Sequence, residues 1–474
     1  MMKTILLSLF ISLCTLQTFA QLDTVVFTEE GAFLFDYVLP YSAYSSWMHR
    51  DGEPVLYAAC RELGLVTFSI ADISAPYPTD TIPIAAFHNL NPTNVSQFED
   101  YLFVSLGGYN LFSQRAGLAI LELSDPEHPV VVDVWDSIAF NQGAAIAISD
   151  GHYAYIGAMD AGVIILDVSD KSDIQFVSSI LPDPNFPEIP DLFSVPNARG
   201  LGLYGADTLM VTYDAGGLRM IDIVDRYAPV EIGKFADTEI ESIAQSAYNN
   251  IVIRDHYAYV PVDMCGLLVI DISSSDMHTV TWLNPWDCDT TNWAGRPGHT
   301  NEVRFSTGDA FNPDLLFLSA ADIEVIAYSI ADPAHPVEVG SFGVPGDSAA
   351  SWSMDVMNNL VSVALVDNQI VGVPYYSDLG GIRLLSFEAS YLNIETTMPT
   401  SAISVFPNPA SQELHIVRNA SGSGVLQLYD IRGKLIDIIP ATTETVDINW
   451  LPAGLYYLFG NDGYSDIHVS WIKQ

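Results

Sequence analysis

The sequence has few basic residues: 17 lysines and arginines stand against 58 aspartates and glutamates, and the formal net charge is −41. Nucleic-acid binding depends on clusters of basic side chains that displace counterions from phosphates, and the sequence has no such cluster. The same charge disfavours adsorption to anionic lipid. We therefore expect no nucleic-acid partner. An acidic surface attracts cations and basic partners, although a merely solvated surface is the simpler interpretation.

Cysteine is also scarce, with four residues in the chain. Cys14 lies in the N-terminal apolar run, so three remain, and an odd number leaves one thiol unpaired. Cys265 opens a strand, and Cys288 lies in the long loop that follows it. We predict a Cys265–Cys288 disulfide that contributes about 3 kcal/mol through loop closure, with Cys60 as a buried free thiol. Three reduced thiols are the alternative.

Long apolar runs are absent after the first twenty residues, so we expect no membrane span in the mature chain. The run at the start, Ile5 to Phe19, follows Lys3 and ends in Thr18-Phe-Ala20 before Gln21. This pattern is typical of a secretory signal peptide. We predict that residues 1–20 are a signal peptide, cleaved between Ala20 and Gln21.

Motifs that carry chemistry are missing too. The sequence contains no Gly-x-Ser-x-Gly elbow, His-Glu-x-x-His pair, P-loop or Gly-x-Gly-x-x-Gly phosphate cradle. It also lacks the Asp-x-Asp-x-Asp-Gly spacing of a calcium loop. His152 and His256 occupy equivalent hairpin positions, which indicates a structural role. We therefore predict no catalytic residue, no cofactor and no metal.

What the sequence does contain is a repeated strand. The clearest copy runs from Gly162 through Val-Ile-Ile-Leu-Asp-Val-Ser to Asp170, and further copies begin at Gly64, Gly117, Gly217, Gly266, Glu324 and Gly381. The seven copies begin 45 to 58 residues apart, close to the spacing expected for one four-stranded propeller blade per repeat. A second strand precedes most copies, and a fourth strand follows the turn that ends several of them.

These residues resemble the LVIVD-repeat family, whose Gly-Leu-x-Ile-x-Asp-Val-Ser-Asp-Pro signature is close to the copies at Gly117 and Gly162. The resemblance implies a β-propeller. We expect an all-β chain with a seven-bladed β-propeller over residues 21–392. Two short strands within 24–38, joined by a turn at Glu29-Glu30-Gly31, should complete the seventh blade and close the ring. The fold alone leaves the function open.

The pattern changes after residue 392. Residues 393–402 are polar, which predicts a linker, and residues 403–474 alternate short strands with Gly and Pro turns, which predicts a small β-sandwich. Three motifs resemble the type A sorting domain of the type IX (Por) secretion system in order and spacing. They are Phe406-Pro-Asn-Pro409, Tyr429-Asp-x-x-Gly-Lys434 and Leu451-Pro-Ala-Gly-Leu-Tyr456. The final segment, His468–Gln474, matches the family less clearly.

The resemblance implies that the type IX secretion machinery of a Gram-negative bacterium reads residues 403–474 as an export address. It also implies that the tail is removed afterwards, with release of the protein or attachment to the outer-membrane surface. The propeller is then the exported cargo.

Alignment of the repeats places one residue of each near the start of an innermost strand: Ser45, Asn94, Ala145, Arg199, Asn249, Asn301 and Asn358. By alignment, His299 lies near Arg199, Glu302 and Trp352 on the same face. The candidate ligand-binding residues are therefore Asn94, Arg199, Asn249, His299, Asn301 and Trp352. The simpler interpretation is that the asparagines cap backbone groups around a wet channel.

Carboxylates recur at two further positions of the repeat. One set lies between the second and third strands: Glu62, Asp160, Asp214, Asp263, Asp322 and Asp378. We expect these to form turns rather than a Ca²⁺ site, because the ring holds equivalent positions far apart. The other set precedes the fourth strand: Asp72, Asp125, Asp170, Asp225 and Asp332. We expect these to accept backbone N–H groups within turns.

Three functions are compatible with this sequence. The leading hypothesis is a secreted or surface-displayed, non-enzymatic propeller that binds a protein, glycan or small ligand through its loop-rich face. The first alternative is a hydrolase or lyase that acts on polysaccharide or peptide at the channel mouth, for which an acid and a base must converge. The second alternative is a structural or adhesive surface component.

Overall fold

The computed structural model of the chain describes residues 22–35, 42–107, 114–187, 196–243, 247–284, 288, 300–307, 314–320, 323–344, 349–366, 379–391, 403–418, 425–430, 434–440, 442–461 and 466–473. The predicted cleavage site at Ala20 and Gln21 and the predicted linker lie outside them. The chain divides into two compact units, one of residues Gln21–Tyr391 and one that contains Leu392–Gln474.

Within the described residues, the larger unit contains seven four-stranded sheets. β1 (Leu22–Leu34) belongs to the seventh sheet, and the other six sheets each pair four consecutive strands in chain order. The first has β2 (Ser45–Met48), β3 (Val55–Ala59), β4 (Leu65–Ser69) and β5 (Tyr77–Ile82); the second β6 (Pro92–Phe98), β7 (Tyr101–Leu106), β8 (Ala116–Glu122) and β9 (Val130–Ser137). The third has β10 (Ile146–Ser149), β11 (Tyr153–Gly157), β12 (Val163–Asp167) and β13 (Gln175–Ile180).

The fourth sheet has β14 (Gly200–Tyr204), β15 (Thr208–Thr212), β16 (Leu218–Asp222) and β17 (Val230–Phe235). A short helix, α1 (Thr238–Ile243), comes next in the chain. The fifth sheet has β18 (Val252–Arg254), β19 (Tyr257–Pro261), β20 (Leu267–Asp271) and β21 (His278–Leu283). The sixth has β22 (Thr300–Phe305), β23 (Leu315–Ala320), β24 (Ile323–Ser329) and β25 (Val337–Phe342), and the seventh joins β26 (Ser351–Met357), β27 (Leu360–Leu365) and β28 (Gly381–Tyr391) to β1. Short 3₁₀ turns lie at Arg61–Leu63, Ile84–Phe87 and Asp263–Cys265.

Burial explains why the repeated strand is apolar throughout. Every residue of β3 and β4 is buried, as expected for strands covered on both faces by neighbouring sheets. The outermost strands are instead mostly exposed or half-buried, and β17 alternates between the two along its length. The sheets therefore pack through their middle strands and present their last strands to solvent.

The glycine that opens the repeat is required by close packing. Gly217 has φ +76°, and a Cβ atom there would lie 2.1 Å from the carbonyl oxygen of Phe235 in the outer strand. Gly162 has φ +79°, and its Cβ would lie 2.3 Å from the carbonyl oxygen of Ile180. Only glycine allows the third strand to enter its sheet at this angle and distance.

The aspartates before the fourth strand have the predicted turn-forming role. In each case the Oδ1 atom accepts a hydrogen bond from the backbone N–H two residues later, at 2.9 to 3.2 Å. The five pairs are Asp72 with Ser74, Asp125 with Glu127, Asp170 with Ser172, Asp225 with Tyr227 and Asp332 with Ala334.

The N-terminal strand completes the seventh sheet. β1 pairs antiparallel with β28, from Leu22 opposite Tyr391 to Leu34 opposite Gly381. The expectation of two short strands with a turn between them is wrong, because β1 is one strand with a register shift between Glu29 and Gly31. A Cβ on Gly31 would lie 2.5 Å from the carbonyl oxygen of Ile73. The shift therefore lets the strand pass a turn of the first sheet.

The innermost strands contact one another in a closed cycle. β2 contacts β6, and the series continues through β10, β14, β18, β22 and β26, which contacts β2 again. The start of each inner strand therefore lies beside the starts of its two neighbours. This arrangement brings side chains from all parts of the larger unit to one place.

The smaller unit has two sheets of its own. One pairs β29 (Ile403–Phe406), β30 (Glu413–Arg418) and β33 (Thr445–Asp447); the other pairs β32 (Leu435–Ile439), β31 (Leu426–Asp430), β34 (Gly454–Asn461) and β35 (Asp466–Lys473) in that order. Buried side chains of both sheets, among them Leu414, Leu428 and Trp471, form one hydrophobic cluster. Throughout the described residues, no helix has the length and apolar character needed to cross a membrane.

Candidate functional site

A small polar recess lies where the inner strands begin, with a cavity volume of about 40 Å³. It includes five of the six predicted ligand-binding residues: Asn94, Arg199, Asn249, Asn301 and Trp352. The sixth, His299, lies outside the described residues. Tyr44, Ala145, Ile146, Asn250, Glu302 and Ser353 complete the lining. The structure thus gathers residues that are far apart in sequence around one small space.

The asparagine side chains of the recess connect neighbouring strands. Asn249 Nδ2 donates to Asp263 Oδ1 at 3.0 Å and to the Thr300 carbonyl at 2.7 Å, and Asn94 Nδ2 donates to Ser45 Oγ at 3.2 Å. These contacts agree with the simpler interpretation that asparagine caps groups where strands converge. Asn249 Oδ1 is buried and has no hydrogen-bond partner. One acceptor in the wall of the recess is therefore left unsatisfied after the internal bonds are made.

The carboxylates between the second and third strands hold the segments that lead into the inner strands. Asp214 Oδ2 lies 3.3 Å from Arg199 Nε and accepts from Asn197 Nδ2 at 2.9 Å. Asp263 Oδ2 accepts from the Ala247 N–H at 2.9 Å, and Glu62 Oε1 accepts from Asn91 Nδ2 at 3.1 Å. These bonds place the carboxylates beside the recess. Asp322 and Asp378 lie outside the described residues.

Glu302 also lines the recess, although the sequence analysis did not count it among the candidate ligand-binding residues. It is only 4% exposed; its carboxylate accepts hydrogen bonds from Asn250 Nδ2 and, at 3.1 Å, from Ser353 Oγ. Arg304 Nη2 lies 3.3 Å from Glu302 Oε1. Burial raises the pKa of Glu302, an effect that the Arg304 charge opposes. Alternation within a strand would have placed either Asn301 or Glu302 at the recess, but not both.

A register shift explains why both residues reach the recess. The pairing of β22 with β23 is irregular between Thr300 and Val303, and a shift between Ser351 and Ser353 in β26 has the same effect on Trp352 and Ser353. An extra residue at such a position breaks the alternation of side chains. Bulges of this kind leave no clear signal in a single sequence.

One predicted member of the ring is misplaced. Asn358 does not lie at the start of an inner strand, because β26 begins at Ser351 and ends at Met357. Asn358 occupies the hairpin turn that follows, with φ +55°, a conformation that asparagine tolerates better than most residues. Trp352 occupies the corresponding position near the strand start. The asparagine that alignment of the repeats selected, Asn358, is therefore a turn residue.

Aromatic side chains form one side of the recess. The rings of Tyr44 and Trp352 lie 5.8 Å apart at an angle of 61°, and Arg61 Nη1 donates to the Tyr44 hydroxyl at 2.8 Å. Further along the inner strands, Trp47 lies between Arg50, 4.3 Å from its ring centroid, and Arg304, at 5.2 Å. Arg50 pairs with buried Asp355 at 2.6 Å. These side chains fill the space between the inner strands.

The lining of the recess includes no cysteine. Cys265 and Cys288 are joined in a disulfide, with 23 residues of separation, and Cys60 is a buried free cysteine. Burial raises the pKa of the Cys60 thiol, so it is a poor nucleophile. Where the structure describes the chain, no group of three or more His, Cys, Asp or Glu side chains could hold a metal ion.

Two family models match parts of the chain. The model described as a secretion system C-terminal sorting domain matches residues 404–474, and the LVIVD repeat matches residues 143–181 and 247–277. A comparison with curated proteins found no match. The predicted sorting domain and LVIVD repeats are thereby confirmed.

Solved structures share the architecture of the larger unit. The WD40 repeats of RRP9 align with a TM-score of 0.54 and 10% identity, covering 77% of this chain and all of that one. The structure of U3-55K gives the same TM-score and identity, with coverage of 76% and 100%. PorZ, an essential surface component of the type IX secretion system of Porphyromonas gingivalis, aligns with a TM-score of 0.40 and 13% identity, covering 90% of this chain and 64% of its own.

At these identities the structural neighbours establish the fold alone, and the PorZ alignment is too weak to support an argument. The repeats and the tail are established by the family models. The chain therefore carries LVIVD repeats on a β-propeller fold and ends in a secretion-system C-terminal sorting domain.

Proposed function

We propose that the chain is an exported, non-enzymatic, seven-bladed β-propeller that binds an extracellular ligand at the recess and its surrounding loops. The observation that carries this proposal is the composition of the recess: Asn94, Arg199, Asn249, Asn301 and Trp352 come from five different sheets and line one cavity. Binding sites that combine a few polar groups with aromatic side chains are typical of ligand recognition on rigid scaffolds.

The contacts of the larger unit support a closed seven-bladed ring. Seven four-stranded sheets follow one another, their inner strands contact in a cycle, and β1 supplies the last strand of the seventh sheet. For the tail, the cluster shared by its two sheets supports a β-sandwich. We take residues 21–392 as the propeller and 403–474 as the sorting domain.

The distribution of charge supports different roles for the propeller, as the exported protein, and for the tail, as the export signal. Residues 403–474 contain seven acidic and four basic residues, which leaves 51 acidic and 13 basic residues in 1–402. The tail also exposes large apolar side chains, including Phe406, Ile438 and Trp450. A weakly charged surface with exposed apolar groups suits docking to the secretion machinery. We propose removal of the tail after export, followed by release or surface attachment.

The binding role is tested by screening the purified chain on glycan and peptide arrays. Arg199→Ala and Trp352→Ala should each weaken capture of the same ligand by tenfold or more, as expected when a central contact is removed, and His299→Ala tests the remaining predicted residue. Tyr227→Ala, an exposed aromatic on an outer turn, is the matched control and should leave capture unchanged. Equal capture by all variants would contradict the proposal.

A hydrolase or lyase is the second candidate, and Glu302 is the observation that favours it. A buried carboxyl group with a raised pKa is a suitable general acid. Incubation of the purified chain with polysaccharide and peptide substrates would detect turnover. Turnover that is lost in Glu302→Gln would establish this candidate in place of the non-enzymatic one; absence of turnover across the panel would eliminate it.

A further inference from the structure

We propose that the recess recognises a primary ammonium group, such as a lysine side chain or another alkylamine. This inference rests on the proposed ligand-binding role of the recess and specifies the chemistry of its ligand. Four properties support it: the acceptors of the recess, its size, its aromatic side and the charge around it.

On the side of the fifth and sixth sheets, the recess offers acceptors. The amide N–H groups of Asn249 bond Asp263 and Thr300, and the amide of Asn250 donates to Glu302. These partners accept hydrogen bonds, so they fix which end of each amide is the donor. Asn249 is 5% exposed, yet its Oδ1 has no partner. An unpartnered buried acceptor is unfavourable, and a positive charge held nearby in the recess would offset part of that cost.

The size of the recess limits the group that can enter. A volume of about 40 Å³ holds roughly three water-sized groups, since one water needs about 10–15 Å³ by this measure. An ammonium head is about as large as a water molecule. The six-membered ring of a sugar and the planar guanidinium of arginine are larger. The recess therefore fits the end of an alkylamine better than either of them.

The wall of the recess favours an organic cation over a metal ion. Tyr44 and Trp352 form an aromatic pair at the recess, and an ammonium group within about 6 Å of an aromatic face gains a cation–π interaction. Ile146 adds an apolar surface against which an alkyl stem can pack. By contrast, among the described residues no cluster of three metal-ligating side chains exists.

Electrostatics also favour a cation. Glu62, Asp214 and Asp263 bond residues at or next to the recess, and Glu302 adds a buried carboxylate to its wall. Arg199 is the opposing charge in the lining, and Arg61 and Arg304 lie next to it, bonded to Tyr44 and paired with Glu302. Arg199 comes from the fourth sheet and is paired with Asp214, whereas Asn249, Glu302 and Trp352 come from the fifth, sixth and seventh sheets. The net charge of −41 attracts cations from a distance.

Isothermal titration of the full exported chain at low ionic strength tests this inference. The probe is Nα-acetyl-lysine N-methylamide. Its matched comparator is the norleucine amide, which has the same stem without the ammonium group, and the arginine amide tests the size limit. We expect the lysine probe to bind at one site and at least tenfold more tightly than either comparator. Calcium chloride and galactose, titrated separately, should not compete with it.

Two variants assign binding to the recess. Glu302→Gln should weaken binding roughly tenfold, since a carboxylate is lost while Arg304 stays, and Trp352→Leu should weaken it about threefold or more. Glu338→Gln, an exposed acid on the outer strand of the same sheet as Glu302, is the control and should bind as the wild type does. Thermal unfolding of each variant verifies that it is folded, and a folded Glu302→Gln variant with unchanged affinity would overturn the inference.

The outcomes separate this inference from the function on which it rests. If an array ligand without an amine binds in an Arg199- and Trp352-dependent manner and the lysine probe does not displace it, the ligand-binding role stands and the ammonium inference is wrong. Equal binding of the lysine and norleucine amides also contradicts the inference. If neither the probe nor any array ligand binds, both proposals fail.

Discussion

Single glycines determine how closely the strands of each sheet can approach. At Gly217, a Cβ atom would meet the Phe235 carbonyl oxygen at 2.1 Å, whereas at Gly205, in the same sheet and with φ +68°, no atom lies within 4 Å. Gly217→Ala should therefore lower the free energy of unfolding by more than about 2 kcal/mol. Gly205→Ala carries only the backbone penalty of about 1 kcal/mol. Urea denaturation measures both, and equal losses would contradict the close-packing argument.

Glu241, on helix α1, should make stability depend on pH. Both of its carboxylate oxygens are buried without a hydrogen-bond partner, and burial, together with the nearby Asp237 charge, raises its pKa to about 7. Between about pH 4.5 and 7 the unfolded chain therefore loses this proton while the folded chain keeps it. Folding is penalised increasingly across that window and fully above it.

Glu241→Gln removes this penalty. The variant should be more stable than the wild type at pH 8, and the difference should shrink towards zero as the pH falls to about 4.5. Glu239→Gln, an exposed position on the same helix, is the control and should change stability by less than about 0.5 kcal/mol at either pH. Chemical denaturation at several pH values tests the prediction. A gain that is equal at pH 4.5 and pH 8 would show that Glu241 is not the cause.

The candidate site could be predicted in part at the level of residues. Alignment of the repeats identified Asn94, Arg199, Asn249 and Asn301, because equivalent positions in equivalent sheets meet at the same end of the inner strands. Glu302 was placed near the site but not counted among its candidate residues, because a register shift in β22 breaks the alternation on which sequence reasoning relies. Asn358 was misassigned, because asparagine also favours turns.

At the scale of elements, β1 is the strand on which the seventh sheet depends. Val25 is 3% exposed and packs in a cluster with Leu315, Phe317 and Phe387, whereas its neighbour Val26 is 59% exposed. Val25→Asn should lower the free energy of unfolding by about 3 kcal/mol, since it buries an amide among apolar side chains. Val26→Asn should cost less than about 0.5 kcal/mol. Similar losses at both positions would mean that β1 does not pack as described.

The existence and pairing of the strands could be predicted better than their exact extent. The seven apolar copies correspond to the third strands of seven sheets, because strands buried on both faces require continuous apolar sequence. The pairing of the N-terminal segment with the last repeat was also expected, and the register of β1 with β28 confirms it. The continuity of β1 was not expected, because Glu29-Glu30-Gly31 has the composition of a turn but forms an irregularity within one strand.

At the scale of the whole molecule, the sorting domain and the recess belong to different parts of the chain. The sorting domain at residues 404–474 indicates secretion or attachment at the cell surface, and the acidic larger unit carries the recess. The motifs of the tail made the sorting domain predictable from sequence. The shape of the recess was not predictable, because it depends on distances between strand starts that only the arrangement of the sheets defines.

The central claim is that β1 closes a ring of seven sheets and thereby holds Tyr44 and Trp352, from either side of the closure, at one recess. Native-state hydrogen exchange, resolved to peptides of β1 and β28, tests it most directly. We predict that about half of the amides of residues 22–34, those that bond β28, exchange far more slowly than in an unfolded peptide. Exchange of residues 22–34 at the rate of an unfolded peptide, with residues 381–391 still protected, would contradict the account.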